Sequence, residues 1–131
     1  MAFVQLGRYQ EARDHLRTDV KAYPEQSVFA HGLARLLAAA PDDRVRDGDG
    51  AMALVGELLA KEQRTLELGE TMAMALAAAT RYEEAARVQR DLMRGVEHAG
   101  LQQAVTRLAA NLALYERRQP CRTPWPAGEI P

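Results

Sequence analysis

Apolar side chains recur every three or four positions along almost the whole chain, which is the spacing of one face of an α-helix. The six apolar stripes run from Tyr9 to Tyr23, Phe29 to Ala40, Ala51 to Leu59, Leu68 to Ala79, Tyr82 to Val96 and Leu101 to Tyr115. No segment alternates apolar and polar residues as a half-buried strand does. The pattern therefore predicts six helices with short connections, packed as an antiparallel array.

The composition points to the same fold class. Alanine and leucine supply 24 and 16 of the 131 residues, against a single isoleucine. Both are strong helix formers, whereas strands are enriched in β-branched and aromatic residues, and aromatic residues make up only 5% of this chain. The length suits one domain, and 47% of hydrophobic residues is enough for a buried core. We therefore expect a single all-α domain.

A six-residue motif occurs twice, as Gly7–Ala12 and again as Thr80–Ala85. The two copies lie 73 positions apart, which is close to two helix-turn-helix periods of about 34 residues with a short insertion. The polar stretch from Pro41 to Gly50 is read as a loop, and we place the insertion there. In the second copy, Thr80 followed by Glu83 predicts a capping box at the start of a helix.

The motif and its spacing resemble those of tetratricopeptide repeat (TPR) proteins, and the resemblance covers nearly the whole chain. The residues that match the family pattern are Leu6, Gly7, Tyr9, Ala12, Leu16, Pro24, Leu33, Ala34, Leu37, Met72, Ala73, Leu76, Tyr82, Ala85 and Leu92. The chain departs from the pattern at Asp19, Gly69 and Gln89. The loop over 37–48 and the ending over 112–125 are similar to the last repeats of bacterial TPR proteins. The resemblance implies an α-solenoid, in which antiparallel helix pairs stack side by side.

The resemblance divides the single domain 1–131 into partial and complete repeats. The divisions are a partial first repeat (1–24), a second repeat with the loop insertion (25–62), a third repeat (63–99), a capping helix (100–119) and a Pro-rich tail (120–131). The tail holds the only cysteine and the only tryptophan, Cys121 and Trp125. Because an exposed indole is costly to keep in water, we expect Trp125 to dock against the capping helix rather than to serve as a ligand for a partner's groove.

In the TPR family, the first helix of each pair lines a concave groove that binds an extended peptide or a partner helix. Carried over by register, the groove positions are His31 and Arg35 in the second repeat and Glu67, Glu70 and Met74 in the third. Their mixed character suits a peptide that has both an apolar anchor and charges. The resemblance thus implies a non-catalytic protein–protein interaction module with a protein or peptide partner.

The start of the chain suggests two alternatives. Only residues 3–6 remain of the first helix of the first repeat, so the next helix lacks its usual neighbour. We expect Tyr9, Leu16 and Val20 to be exposed on that face. Pairing of this face with a second copy would make the chain a structural or homo-oligomerisation unit, present as a homodimer. The other alternative is a detached C-terminal domain of a larger protein.

No pattern of catalytic, cofactor-binding or metal-binding residues stands out in the sequence. His15, His31 and His98 lack the spacing of metal ligands, and a single cysteine cannot build a thiolate site. The acidic stretch 42–50 lacks the alternating ligands and the closing glutamate of a calcium loop. The signatures of zinc proteases, phosphate-binding loops and nucleophile elbows are also missing. We predict no enzymatic activity, no cofactor and no metal.

Charge and hydropathy narrow the partners further. The formal net charge is −1, with 17 basic and 18 acidic side chains, so nothing favours nucleic acid or an anionic membrane surface. No apolar run approaches the roughly 18 to 20 residues that a membrane span needs. The first ten residues lack the features of a secretory signal, which makes the cytoplasm the default expectation. The incomplete first repeat weakens that expectation, because Met1 then need not be the original start of the domain.

Overall fold

The computed structural model describes residues 2–126 and residue 130, and within them it contains seven α-helices and no strand. The helices are α1 (Ala2–Gln5), α2 (Tyr9–Ala22), α3 (Ser27–Ala39), α4 (Gly48–Lys61), α5 (Leu66–Ala78), α6 (Tyr82–His98) and α7 (Gln102–Glu116). Helices α2 to α7 correspond to the six predicted stripes, and α1 is the remnant that precedes them. The all-helical prediction is confirmed.

Each helix packs against the next one in sequence, as in a helical solenoid. In addition, α3 packs directly against α5, and Glu70 of α5 reaches Arg107 of α7. Helices α3, α5 and α7 therefore lie side by side in one layer, and α4 and α6 pack behind them. Alanines without exposed surface, such as Ala34 on α3 and Ala73 on α5, permit this close approach of the helices.

The turns that follow α1, α5 and α7 share one geometry. A residue in the left-handed conformation ends each helix: Gly7 at φ 72°, Thr80 at φ 64° and Arg118 at φ 58°. After α5, the amides of Thr80 and Arg81 donate to carbonyls of the last helical turn at 3.0 and 2.8 Å, which is a Schellman motif. The predicted capping box is therefore wrong, because Thr80 ends α5 and α6 begins after Arg81 without a side-chain cap.

The two copies of the sequence motif have the same local structure. Arg8 and Arg81 directly precede α2 and α6, and each guanidinium donates twice to the glutamate three positions further on, Glu11 or Glu84. These glutamates lie in the first turn of their helices, where a negative charge interacts favourably with the positive end of the helix dipole. The structure therefore repeats where the sequence repeats.

The loop between α3 and α4 is shorter than the predicted stretch from Pro41 to Gly50, since α4 begins at Gly48. Asp47 caps α4, its Oδ1 accepting a hydrogen bond of 2.9 Å from the amide of Gly50. A Cβ at Gly48 would lie 2.8 Å from the backbone at the end of α5, so this helix start requires glycine. Val45 is buried in the core, which anchors the loop.

The exposed face that the sequence predicted on α2 does not form as expected. Leu16 is only 4% exposed and belongs to the same apolar core as Val4 of α1. Tyr9 and Val20 are partly buried against that core. The prediction that Leu16 is exposed is wrong, because the single turn of α1 packs on α2.

Candidate functional site

The five predicted groove positions lie together on two neighbouring helices. His31 and Arg35 lie on α3, and Glu67, Glu70 and Met74 lie on α5. Two contacts join the helices: His31 Nε2 is 2.8 Å from Thr71 Oγ1, and Arg35 Nη2 is 3.4 Å from Glu70 Oε2. Of the five, Glu67 is exposed, His31 is half-buried, and Arg35, Glu70 and Met74 are buried.

Glu70 is the centre of a buried charge cluster. The residue is 3% exposed, and its carboxylate oxygens lie 3.4 Å from Arg35 Nη2 on α3 and 2.7 Å from Arg107 Nη2 on α7. A buried carboxylate is tolerated when cations pair with it, so the cluster ties the three helices of the layer together.

Arg107 is the member of this cluster that the sequence reasoning missed. The resemblance makes α7 a capping helix outside the groove, which leaves its polar residues out of the predicted groove positions. The signal that could have found Arg107 is that it is the only charged residue between Gln102 and Tyr115. A lone arginine in such a segment is a candidate for a specific ion pair.

The chain leaves α7 and returns across the face that carries the predicted groove positions. Of the predicted tail 120–131, residues 127–129 and 131 lie outside the described residues. From here on, the tail denotes residues 119–126, none of which is helical. Arg35 Nε donates a hydrogen bond of 2.6 Å to the carbonyl oxygen of Pro124, 89 positions away in sequence. Cys121 and Pro124 are buried, and Trp125 is half-buried against the core. The tail docks against the helices and covers Arg35, one of the predicted groove positions, which is 8% exposed.

Cys121 is the anchor of the tail in the apolar core, with 2% of its surface exposed. Burial raises the pKa of its thiol, and nearby Arg35 opposes that shift. Burial also raises the pKa of the neighbouring Tyr115 hydroxyl, which has no hydrogen-bond partner among the residues that the structure describes. Both groups are therefore uncharged near neutral pH, and the site around Cys121 accepts a small neutral side chain.

Two arginines in or next to the tail, Arg118 and Arg122, lie near the start of α6 and the α3–α4 loop. The guanidinium carbon of Arg118 lies 5.4 Å from the centre of the Tyr82 ring. Arg122 is half-buried, and burial together with the charge of Arg46 lowers the pKa of its guanidinium, while Tyr82 and Asp43 oppose the shift. The tail thus crosses the end of the solenoid where the α3–α4 loop and the start of α6 meet.

His31 is a neutral hydrogen-bond donor in this arrangement. Burial, and then the positive charge of Arg35, lower the pKa of the His31 imidazole below its usual 6.5, while Glu67 and Glu62 act in the opposite direction. The Thr71 hydroxyl donates to the carbonyl of Glu67 at 3.0 Å, so its oxygen is left to accept from His31 Nε2. His31 therefore helps to fix α3 against α5.

An open cleft of about 510 Å³ lies between α6 and α7, lined by paired charges such as Arg90 and Glu116 and by no serine, cysteine or histidine. Within residues 2–126 and 130, no three His, Cys, Asp or Glu side chains converge as metal ligands. None of the described helices is long and apolar enough to span a membrane.

Comparison with known proteins adds no relative to these observations. Searches of protein-family models, of curated proteins and of solved structures with this chain all give no match.

Proposed function

We propose that the chain is a non-catalytic protein–protein interaction module that binds an extended peptide on the layer of α3, α5 and α7. The observation that carries the proposal is the tail itself, a non-helical segment that lies on this layer with a backbone carbonyl bonded to Arg35. A surface that binds one extended segment through a backbone contact and a small apolar anchor has the properties of a peptide site.

The TPR resemblance supports the same proposal. The two motif copies share their Arg–Glu pairs and their left-handed turns, which is what a repeated helix-turn-helix unit would show. In TPR proteins the first helices of the pairs line the binding groove, and by the register of the resemblance α3 and α5 correspond to those helices. We therefore regard the chain as TPR-like, with residues of α3 and α5 facing the ligand.

Homo-oligomerisation through α2 has weaker support. Leu16 is buried by the chain's own α1, so the strongest apolar anchor of that face is not available to a second copy. Tyr9 and Val20 alone are half-buried and offer little further apolar area.

The test is a selection of displayed random peptides against a full chain whose tail is released by Cys121→Lys. The longer cationic side chain does not fit the buried site beside Arg35, and circular dichroism verifies that the helices are retained. We expect selected peptides to bind at least tenfold more weakly once Arg35→Lys is added, because lysine lacks the Nε donor. Arg44→Lys is the matched control, since Arg44 is exposed in the α3–α4 loop. If the peptides bind equally well to the Cys121→Lys chain and to the two chains that also carry Arg35→Lys or Arg44→Lys, the groove is not the binding site.

A further inference from the structure

We propose that the tail is an intramolecular ligand that competes with the partner, and that the partner's segment shares its chemistry. The inference rests on the proposed function and adds the pattern of the partner: a small uncharged residue, then two variable positions, a proline and an aromatic residue. In the tail this pattern is Cys121, two intervening residues, Pro124 and Trp125.

The first part of the argument is that proline holds the tail in the conformation that the groove binds. Pro120, Pro124 and Pro126 fix their own φ angles, and each also restricts the residue before it to extended conformations. Six of the eight tail residues are therefore limited before docking, and little chain entropy remains to be lost. A partner segment with the same prolines gains the same advantage.

The second part concerns which tail side chains the groove selects. The site of Cys121 is buried in the core beside Tyr115, so a larger or charged side chain there would cost free energy. The ring of Trp125 is half-buried against the core, which favours an aromatic residue at that position. At the two variable positions, Arg122 is half-buried and Thr123 is exposed. The groove therefore restricts the side chains at these positions less than it restricts those of Cys121 and Trp125.

The third part is that the tail is held loosely enough to be displaced. Beyond Gln119, the Pro124 carbonyl makes the one hydrogen bond between the tail backbone and the helices among the described residues. The tail is joined to α7 through Arg118, whose left-handed backbone adds some strain to the junction. A tethered ligand of this kind acts at an effective concentration of about 1 mM or more, so it sets a threshold that a partner must exceed.

The experiment measures the affinity of a dye-labelled peptide with the sequence of residues 119–126, carrying alanine in place of Cys121. We expect a Kd at least tenfold lower for the full chain with Cys121→Lys than for the unaltered full chain. We also expect at least tenfold weaker binding to the Cys121→Lys chain when alanine replaces the peptide's tryptophan.

Each outcome separates the two proposals. Equal affinity for both chains would overturn the competition. If the peptide binds neither chain while display-selected peptides bind through Arg35, the shared chemistry is overturned and the proposed function stands. If no peptide of either kind depends on Arg35, the proposed function itself fails.

A second measurement needs no variant and decides the matter if Cys121→Lys does not fold. The peptide should accelerate modification of the Cys121 thiol in the unaltered chain by at least fivefold at millimolar concentration, because it captures the groove whenever the tail leaves. An unchanged rate would overturn the proposal. A dimer by light scattering in which Cys121 stays protected would assign the groove to the tail of a second copy, and would overturn a separate partner protein.

Discussion

Thr80 is a residue whose backbone is strained by the tight turn between α5 and α6. Its φ of 64° places a β-branched residue in the left-handed region, where the corresponding position after α1 is Gly7. The backbone hydrogen bonds of the turn are made in both places, so the difference between them is one of conformational strain.

We predict that Thr80→Gly raises the free energy of unfolding by about 0.5 to 1 kcal/mol, because glycine adopts this conformation without strain. Thr80→Ala is the control, since alanine keeps the left-handed penalty and should give little or no gain. Urea denaturation followed by circular dichroism measures both. A loss of stability with glycine would mean that Thr80 has a role beyond the turn.

His31 makes stability depend on pH. Its pKa is lowered in the folded chain, so the unfolded chain binds a proton more readily, and the free energy of unfolding should fall as pH drops through 6.5 toward the lower folded value. His31→Gln should flatten the pH dependence between pH 7.5 and 5.5. The control is His98→Gln, an exposed position that should leave the wild-type slope in place. A slope that persists in the His31 variant would contradict the assignment.

At the scale of elements, the packing of α4 against the end of α5 depends on one glycine. A Cβ at Gly48 would lie 2.8 Å from the carbonyl carbon of Ala78 and from the amide nitrogen of Ala79, and backbone atoms cannot move away as a flexible side chain can. Gly56 lies in the same helix with no atom within 4 Å of its Cβ position.

We predict opposite effects for the same substitution at these two sites. Gly48→Ala should lower the free energy of unfolding by about 1 to 3 kcal/mol, because it forces α4 and α5 apart. Gly56→Ala should raise it by about 0.5 to 1 kcal/mol through helix propensity alone. Denaturant titrations of the two variants provide the comparison, and similar effects at both sites would contradict the packing.

The helices were predictable from the sequence because the three- to four-residue spacing of apolar side chains is a local signal. The stripe beginning at Tyr82, for example, follows the helical period for the whole of α6 and needs no knowledge of its neighbours. The sequence places Thr80 in the wrong helix because a threonine followed three residues later by Glu83 is the pattern of a capping box, whereas its left-handed φ belongs to the turn that ends α5.

The contacts around the predicted groove positions could be derived from the sequence only in part. The register of the resemblance gives Arg35 and Glu70 as positions on neighbouring helices, and the structure brings them into contact, but the register leaves out Arg107 of α7. The path of the tail across α3 was not predictable in this way, because residues 119–126 have no helical period. The contact between Arg35 and Pro124 joins residues 89 positions apart, and a local sequence pattern does not predict such a contact.

At the scale of the whole molecule, the described residues form a short solenoid-like array of helices, and the tail lies across its layer of α3, α5 and α7. The Glu70 cluster holds α3, α5 and α7 together beneath the tail, and the tail places Cys121 in the core. The chain's only thiol and only indole therefore both report on the docked tail.

We predict that Trp125→Ala weakens docking and speeds modification of Cys121 about tenfold, the equivalent of about 1.4 kcal/mol of lost contact. The half-buried ring packs against the core, and alanine removes most of that contact. Tyr23→Ala is the matched control, because Tyr23 is an exposed aromatic residue at the α2–α3 connection, where its ring packs on Phe29. Equal acceleration by both variants would show that the effect is general destabilisation.

The most direct test of the docked tail is the rate at which a thiol reagent modifies Cys121 in the unaltered chain at pH 8, with and without denaturant. With the tail on the layer of α3, α5 and α7, the native rate should be at least about 100-fold below that of the unfolded chain, which corresponds to about 2.7 kcal/mol for local opening. Modification of the native chain at the rate of the unfolded one would mean that the tail does not lie on this layer.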